Sequence, residues 1–237
     1  IFSPDGYSQK MHELKIFLDS FLFRAEPNWI ETTSLEEILS RLDLIRYYRP
    51  YPGIDYSKVS YYEELLLREF TKLLSPEYLD SEKPLYKRFG DLLKTGQTII
   101  SFNYDLLAEN IIRAKGKLFD YRFNPVMCND SAKESVNLLK LHGSVNTYYC
   151  PDCHRVKTST PTVTVHPIPG KPADTGEYLR PILICEFCAE TGKEVSLKHF
   201  IIAPTLFKSY SIPVLRHLWY LALKSLAETD EIFFIGY

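Results

Sequence analysis

Apolar positions in the N-terminal part of the chain recur with the period of an α-helix, which predicts a helical region over residues 1–96. Apolar stripes with this spacing run through residues 11–22, 38–42 and 65–74. Ser34 and Glu37 have the spacing of a capping box ahead of the second stripe, and Pro84 can open a fourth helix. The Tyr- and Pro-rich segment at residues 47–56 is expected to be a loop. We interpret the stripes as core packing rather than as a binding surface.

From Gln97 onward the pattern changes to short, largely β-branched apolar runs, which are typical of strands buried on both faces of a sheet. Such runs lie at residues 98–102, 136–141, 201–202 and 232–235. Helical stretches at residues 106–115 and 213–228 separate them. Strands that alternate with helices favour a parallel sheet with crossover helices. The predicted fold class is therefore α/β, with a Rossmann-like parallel sheet formed by residues 97–146 and 200–237 after the N-terminal helical region.

Residues 147–199 show little periodicity and are predicted to form a separate zinc-binding module. They contain two Cys-x-x-Cys pairs, namely Cys150, Cys153, Cys185 and Cys188. Two such turns can place four thiolates tetrahedrally on one zinc ion, and a site filled by four thiolates is structural rather than catalytic. Two disulfides are the alternative in a secreted protein. A redox role is a third hypothesis, but it needs one pair only and leaves the other unexplained.

Composition narrows the function classes. The chain has 237 residues, of which 45% are hydrophobic and 24% are charged, as in ordinary globular proteins. Its formal net charge of -2 disfavours a nucleic-acid partner, although a protein partner or a homo-oligomer stays open. No apolar run approaches the roughly 20 residues that cross a bilayer, so no membrane association is expected. The paired cysteines and the absence of a signal peptide favour the cytoplasm. We also expect the sequence to be a fragment that is truncated at both ends.

Polar side chains follow two of the predicted strands at the point where each strand ends. Asn103 and Asp105 come after the first run, and His142 and Gly143 come after the second. In an open parallel sheet, ligands bind beyond the carboxyl ends of the strands. An amide and a carboxylate there can hold ribose hydroxyls and a carboxamide, while an imidazole can act as a general base. The alternative is that Asp105 only caps a helix, Asn103 only forms a turn and His142 is a satisfied polar residue.

Five motifs in this order resemble the sirtuin family, and especially the sirtuin-like domains of bacterial and archaeal defence proteins. They are Ser101-Phe102-Asn103-Tyr104-Asp105, Leu141-His142-Gly143-Ser144, the two cysteine pairs, Ala203-Pro204-Thr205-Leu206-Phe207-Lys208 and Phe234-Ile235-Gly236-Tyr237. The first is similar to the Thr-x-Asn-Tyr-Asp of the defence group, and the second to the segment that carries the family's catalytic His. The resemblance covers residues 97–237.

The resemblance implies that the ligand is NAD and assigns roles to individual residues. Asn103 would position the nicotinamide ribose and a water molecule, Asp105 would contact the carboxamide, and His142 would be the base towards a ribose hydroxyl. Ser101 and Gly236 would complete the cofactor-binding residues, with Gly236 near the adenosine-side ribose and phosphates. The expected cofactors are therefore NAD and zinc.

The departures from the family pattern separate three functional hypotheses. The glycine-rich loop that cradles the pyrophosphate in sirtuins would lie before Ile1, and Phe102 stands where sirtuins have Gln. The Phe-Gly-Glu that lines the acyl-lysine tunnel of deacylases has no counterpart near residues 201–208. The leading hypothesis is therefore NAD hydrolysis, releasing nicotinamide and ADP-ribose, within antiphage defence. Protein deacylation is the second hypothesis, and a non-catalytic zinc-ribbon module that binds a partner is the third.

Overall fold

The chain folds into two compact units in a computed structural model. The structure describes residues 12–22, 28–49, 55–74, 83–124, 134–158, 166–167, 178–179, 183–203 and 212–235. The first unit comprises residues 1–69, 160–184 and 203–208, and the second comprises residues 70–159, 185–202 and 209–237.

The first unit is mainly helical, as its apolar stripes predict. Its elements are a helical turn at residues 12–17 that continues as a π-turn at Leu18–Leu22, helix α1 (Trp29–Thr32), helix α2 (Leu35–Tyr48), most of helix α3 (Tyr56–Leu73), and two-residue strands β6 (His166–Pro167) and β7 (Tyr178–Leu179). Its core consists of Leu14, Phe17, Leu18, Trp29, Leu39, Leu42, Ile45, Val59, Tyr62 and Leu65. The Glu37 backbone N–H donates to Ser34 Oγ at 3.2 Å, which confirms the predicted start of α2.

The second unit contains a parallel sheet with helices on both faces. Its first elements are helix α4 (Pro84–Leu92), strand β1 (Thr98–Ser101), helix α5 (Leu107–Ala114), strand β2 (Leu118–Asp120) and strand β3 (Ser135–Lys140), and helix α7 (Pro213–Glu228) comes last. The strand order is β1-β3-β2, and both pairs are parallel. Val136 and Leu138 of β3 pack with α5, whereas Leu139 packs on the opposite face with α7. The mixed α/β class and the parallel sheet are thus confirmed.

The run at residues 201–202 is predicted to lie in that parallel sheet, and this prediction is wrong. Strand β8 (Lys198–Ile201) instead pairs antiparallel with strand β4 (Gly143–Tyr149), which also pairs with strand β5 (Val156–Thr158). The reason lies at Gly143, which turns the chain from β3 directly into β4 without a crossover helix. Its φ is +81°, and a Cβ at this position would lie 1.8 Å from the carbonyl oxygen of Phe200. Only glycine permits that close approach.

The predicted buried strand at residues 232–235 is also absent. The segment has no regular secondary structure, and its apolar side chains are exposed, with Phe234 at 94%. A strand needs neighbouring backbone groups to pair with, and an apolar run supplies only the tendency to be buried.

Among the described residues, no helix combines the length and the apolar character that a bilayer crossing requires.

Candidate functional site

The first cysteine pair lies in the tight turn that joins β4 to β5. The backbone N–H of Cys150 donates to the Arg155 carbonyl, and the N–H of His154 donates to the Cys150 carbonyl, both at 2.9 Å. His154 adopts a left-handed φ of 59°, which closes the turn. The Cys153 N–H donates a hydrogen bond to Cys150 Sγ at 3.4 Å. This turn directs both sulfur atoms to one side of the hairpin.

The second pair lies at the start of the short helix α6 (Glu186–Glu190). Cys185 precedes the helix, and its N–H donates to the Val195 carbonyl at 2.9 Å. Cys188 follows one helical turn later, so its side chain lies above that of Cys185 on the same face. The Cys188 carbonyl accepts hydrogen bonds from Thr191 and Lys193, both at 3.0 Å, which ends the helix in a tight turn.

The two pairs meet in a compact four-sulfur cluster. All four Sγ atoms lie within 4.8 Å of one another. Cys150 Sγ is 3.6 Å from Cys188 Sγ, and Cys153 Sγ is 3.6 Å from Cys185 Sγ. Four sulfurs tetrahedrally placed about 2.3 Å from a zinc ion would be separated by about 3.8 Å. None of the four cysteines forms a disulfide, and three are buried. The cluster therefore fits a structural zinc site, and the disulfide alternative does not describe it.

The ionisation behaviour of the four thiols favours a bound cation. Burial opposes ionisation of Cys150, but hydrogen bonds from the backbone N–H groups of Cys153 and Asp152 lower its pKa to about 7. Burial and the neighbouring thiols raise the pKa of Cys188. The first thiolate to form thus hinders ionisation of the others, and a divalent cation removes this repulsion.

Contacts outside the sulfur cluster hold the two turns together. The Arg155 guanidinium lies 3.5 Å from the centroid of the Phe187 ring, in cation–π geometry. Lys193 Nζ contacts Asp152 Oδ2 at 3.0 Å, and Lys157 pairs with Glu186. Every one of these contacts joins the first turn or β5 to the segment around the second pair.

The ends of β1 and β3 form a second candidate site. Ser101 is in register with Lys140, and the Leu141 N–H donates to the Ser101 carbonyl at 2.9 Å. The two chains therefore leave the sheet side by side. The ring centroids of Phe102 and His142 are 5.1 Å apart. His142 is half-buried, and its carbonyl accepts the Ile202 N–H at 2.8 Å.

The segment between Ser101 and Asp105 is held in place at several points. The Asn103 N–H donates to Ser101 Oγ at 3.2 Å, while the Asn103 residue is exposed. The Tyr104 carbonyl accepts from the Val145 N–H at 2.9 Å and from Ser144 Oγ at 3.2 Å. The Tyr104 hydroxyl donates to the Ile202 carbonyl at 2.7 Å. The polar group offered to solvent here is thus the Asn103 amide, on a constrained backbone.

Asp105 has a structural role in addition to any ligand contact. Its Oδ1 accepts the Leu107 N–H at 2.9 Å, at the start of α5. Asp105 therefore forms a turn that leads into α5, although the N-cap position itself is Leu106. The turn uses one of the two carboxylate oxygens of Asp105. The same helix start carries the positive end of the helix dipole.

Some predicted positions lie outside the described residues. These are Gly236 and the segment at residues 204–208. Their predicted roles stay predictions.

A buried polar cluster that the sequence did not predict lies directly behind the ends of β1 and β3. Its members are Glu109, Tyr121, Lys140 and Asn146, all of which are 8% exposed or less. Lys140 comes two residues before His142 and lies between two buried leucines, Leu139 and Leu141, and this apolar setting is the signal that could have pointed to it. A lone Lys near a strand end is ordinarily taken to be solvent-exposed.

No protein-family model matches the chain, and no curated protein matches it significantly.

Proposed function

We propose that this chain carries a sirtuin-like NAD hydrolase site on a Rossmann-like sheet, and that the reaction releases nicotinamide and ADP-ribose. The observation that carries the proposal is the register of β1 and β3, which brings Asn103, Asp105 and His142 to one edge of a parallel sheet. Ligands of open parallel sheets bind at this edge. The role in antiphage defence rests on the sequence resemblance.

The proposed reaction breaks the glycosidic bond between nicotinamide and the ribose C1′. Nicotinamide leaves with the bonding electrons, and the oxygen of a water molecule forms the new bond to C1′. The transition state has oxocarbenium character, as in other glycoside hydrolyses. Asn103 is exposed on a constrained backbone and can hold the ribose and the water. The imidazole of His142 is the base that accepts a proton from a ribose hydroxyl, and the ribose oxygen in turn takes the proton that the attacking water loses. Asp105 contributes a carboxylate oxygen towards the carboxamide.

The zinc ion in this proposal is structural. Four thiolates leave no open coordination position, so the metal does not touch the substrate. Cys150 lies immediately after β4, whose first residue is Gly143, next to His142. Residues Cys150, Cys153, Cys185 and Cys188 would hold the ion and anchor the far end of β4.

Alanine substitution in the full-length protein tests the assignment. His142→Ala and Asn103→Ala should each lower nicotinamide release, because general-base assistance is worth about 10²–10⁴-fold. Zinc content and thermal stability should stay at the wild-type level. The matched control is His154→Asn, which removes an exposed imidazole at a left-handed position that Asn tolerates. Wild-type rates in both alanine variants would show that these residues do not carry the reaction.

An acyl-lysine peptide separates hydrolysis from deacylation. A deacylase consumes NAD only when the peptide is present, whereas the proposed hydrolase releases nicotinamide without it. Strict dependence on the peptide would replace the hydrolase assignment by a deacylase.

A further inference from the structure

The buried cluster behind the strand ends contains an ion pair. Lys140 on β3 and Glu109 on α5 are both fully buried, and Lys140 Nζ lies 3.4 Å from Glu109 Oε1. Tyr121 donates its hydroxyl to Glu109 Oε1 at 2.8 Å, and Asn146 Nδ2 donates to the Tyr121 oxygen at 3.0 Å. Lys140 Nζ also donates to the main-chain carbonyl of Asp105. The lysine therefore joins the interior of the sheet to the segment that carries Asn103.

Packing alone does not account for a lysine at this position. Removing a lysine and a glutamate from water costs free energy, and apolar side chains of similar volume commonly replace such pairs without loss of stability. Burial lowers the pKa of Lys140, while Glu109 and Asp105 raise it again. What the lysine adds over an apolar side chain is a donor for the Asp105 carbonyl. That carbonyl ends the segment after β1, and Lys140 is two residues from His142.

We propose that Lys140 is a positioning residue that fixes the Asn103–Asp105 segment relative to His142, with Glu109 as its buried counter-ion. The inference deepens the proposed NAD hydrolase and rests on it for its catalytic consequence. Lys140 fixes the distance between the Asn103–Asp105 segment and His142, because its backbone leads into His142 and its side chain holds the Asp105 carbonyl. Neither Lys140 nor Glu109 touches the substrate in this arrangement.

The double variant Lys140→Met with Glu109→Gln separates positioning from a merely structural role. A single Lys140→Met change would leave the Glu109 charge buried and unpaired, which can unfold the protein. In the double variant both charges are gone, and the amide oxygen introduced by Glu109→Gln would still accept from the Tyr121 hydroxyl. Of the two contacts that Lys140 makes, the ion pair with Glu109 is replaced by two neutral side chains, and the Asp105 carbonyl loses its donor. The matched control is Tyr121→Phe, which removes hydrogen bonds from the same cluster and leaves the Lys140–Asp105 contact intact.

Amide hydrogen exchange measures the positioning directly and needs no activity. The double variant should exchange faster than wild type across residues 102–107 and at the Val145 N–H, which donates to the Tyr104 carbonyl. Tyr121→Phe should leave these amides at the wild-type rate. Unchanged exchange in the double variant, or an equal increase in Tyr121→Phe, would overturn the proposal.

Steady-state kinetics in the full-length protein measure the catalytic consequence. Misplacing a catalytic group by about 1 Å can cost about 100-fold, so kcat/KM for NAD should fall by roughly 10- to 100-fold in the double variant. Zinc content should not change, and Tyr121→Phe should keep the wild-type kcat/KM. Faster exchange with an unchanged kcat/KM would contradict the catalytic part. If wild type releases no nicotinamide, the proposed function fails, and the exchange result alone decides whether Lys140 holds the segment.

Discussion

At the scale of single residues, the sequence indicates the polar groups at the ends of β1 and β3, here called the strand-end site (Asn103, Asp105 and His142), better than the buried cluster behind them. Asn103 and His142 are candidates from the sequence because they follow apolar runs, and a parallel sheet exposes its ligand-binding edge at the ends of such strands. Lys140 and Glu109 could not be predicted as a buried pair, because the burial of each depends on the other and about 30 residues separate them in the sequence. The hydrogen bond from the Leu107 N–H to Asp105 could be expected from the place of Asp105 before a helix, where Asp commonly accepts backbone N–H groups.

Gly143 offers a sharp test of the turn that leads from His142 into β4. Gly143→Ala combines a left-handed φ with a Cβ placed 1.8 Å from the Phe200 carbonyl oxygen, so β4 and β8 must separate. We expect it to lower the free energy of unfolding by about 4 kcal/mol or more, as strained and overpacked positions do. Chemical denaturation measures the loss.

Gly192→Ala is the matched control for that substitution. Gly192 has a φ of +80°, but a Cβ there would meet nothing within 4 Å. Its cost should be confined to the left-handed backbone, about 1–2 kcal/mol. Equal losses in the two variants would show that the contact with Phe200 does not constrain the turn.

Tyr121 predicts a pH dependence of stability in the alkaline range. Burial, followed by the charge of Glu109, raises the pKa of Tyr121 well above its usual value. The folded state therefore keeps a proton that the unfolded state loses above a pH of about 10, and the stabilisation declines as the pH rises beyond that value. The free energy of unfolding of wild type should fall more steeply above that pH than that of Tyr121→Phe. Parallel pH profiles of the two proteins would contradict this assignment.

At the scale of elements, the zinc turns were predictable and their attachment to the sheet was not. Two Cys-x-x-Cys pairs specify a metal site from local spacing alone. Strand β4 connects His142 to Cys150, and it pairs with β8, a segment about 50 residues away in the sequence, with a shift of register between Gly143 and Tyr148. A pattern of period two identifies a strand but does not identify its partner.

Metal analysis in reducing buffer tests the zinc centre. The chain should bind about one zinc ion, and Cys188→Ser should abolish stoichiometric binding because it removes one of the four ligands. Lowering the pH or adding a chelator should release the metal and lower the melting temperature, because the ligands bind as thiolates. Cys128→Ser is the control, since it leaves both pairs intact. Full zinc content in Cys188→Ser would contradict the four-cysteine site.

At the scale of the whole molecule, the alternation of strands and helices predicted the α/β class, whereas the division into sheets could not be predicted. Helices α5 and α7 cover opposite faces of the parallel sheet, as expected for strands buried on both sides. The sequence does not specify that β8 joins β4, nor that residues 232–235 stay outside the sheet, because both depend on which strand edges are available. Fold class follows from local periodicity, and strand partnership is a global property.

We propose that the strand-end site cleaves NAD with water. The most direct measurement is to incubate the full-length wild-type protein with NAD in the absence of any acyl-lysine peptide, and to quantify nicotinamide and ADP-ribose by chromatography and mass spectrometry. We expect the two products to form in equimolar amounts, and we expect His142→Ala to abolish both while the zinc content is unchanged. Intact NAD after incubation with the zinc-loaded wild-type protein would contradict it.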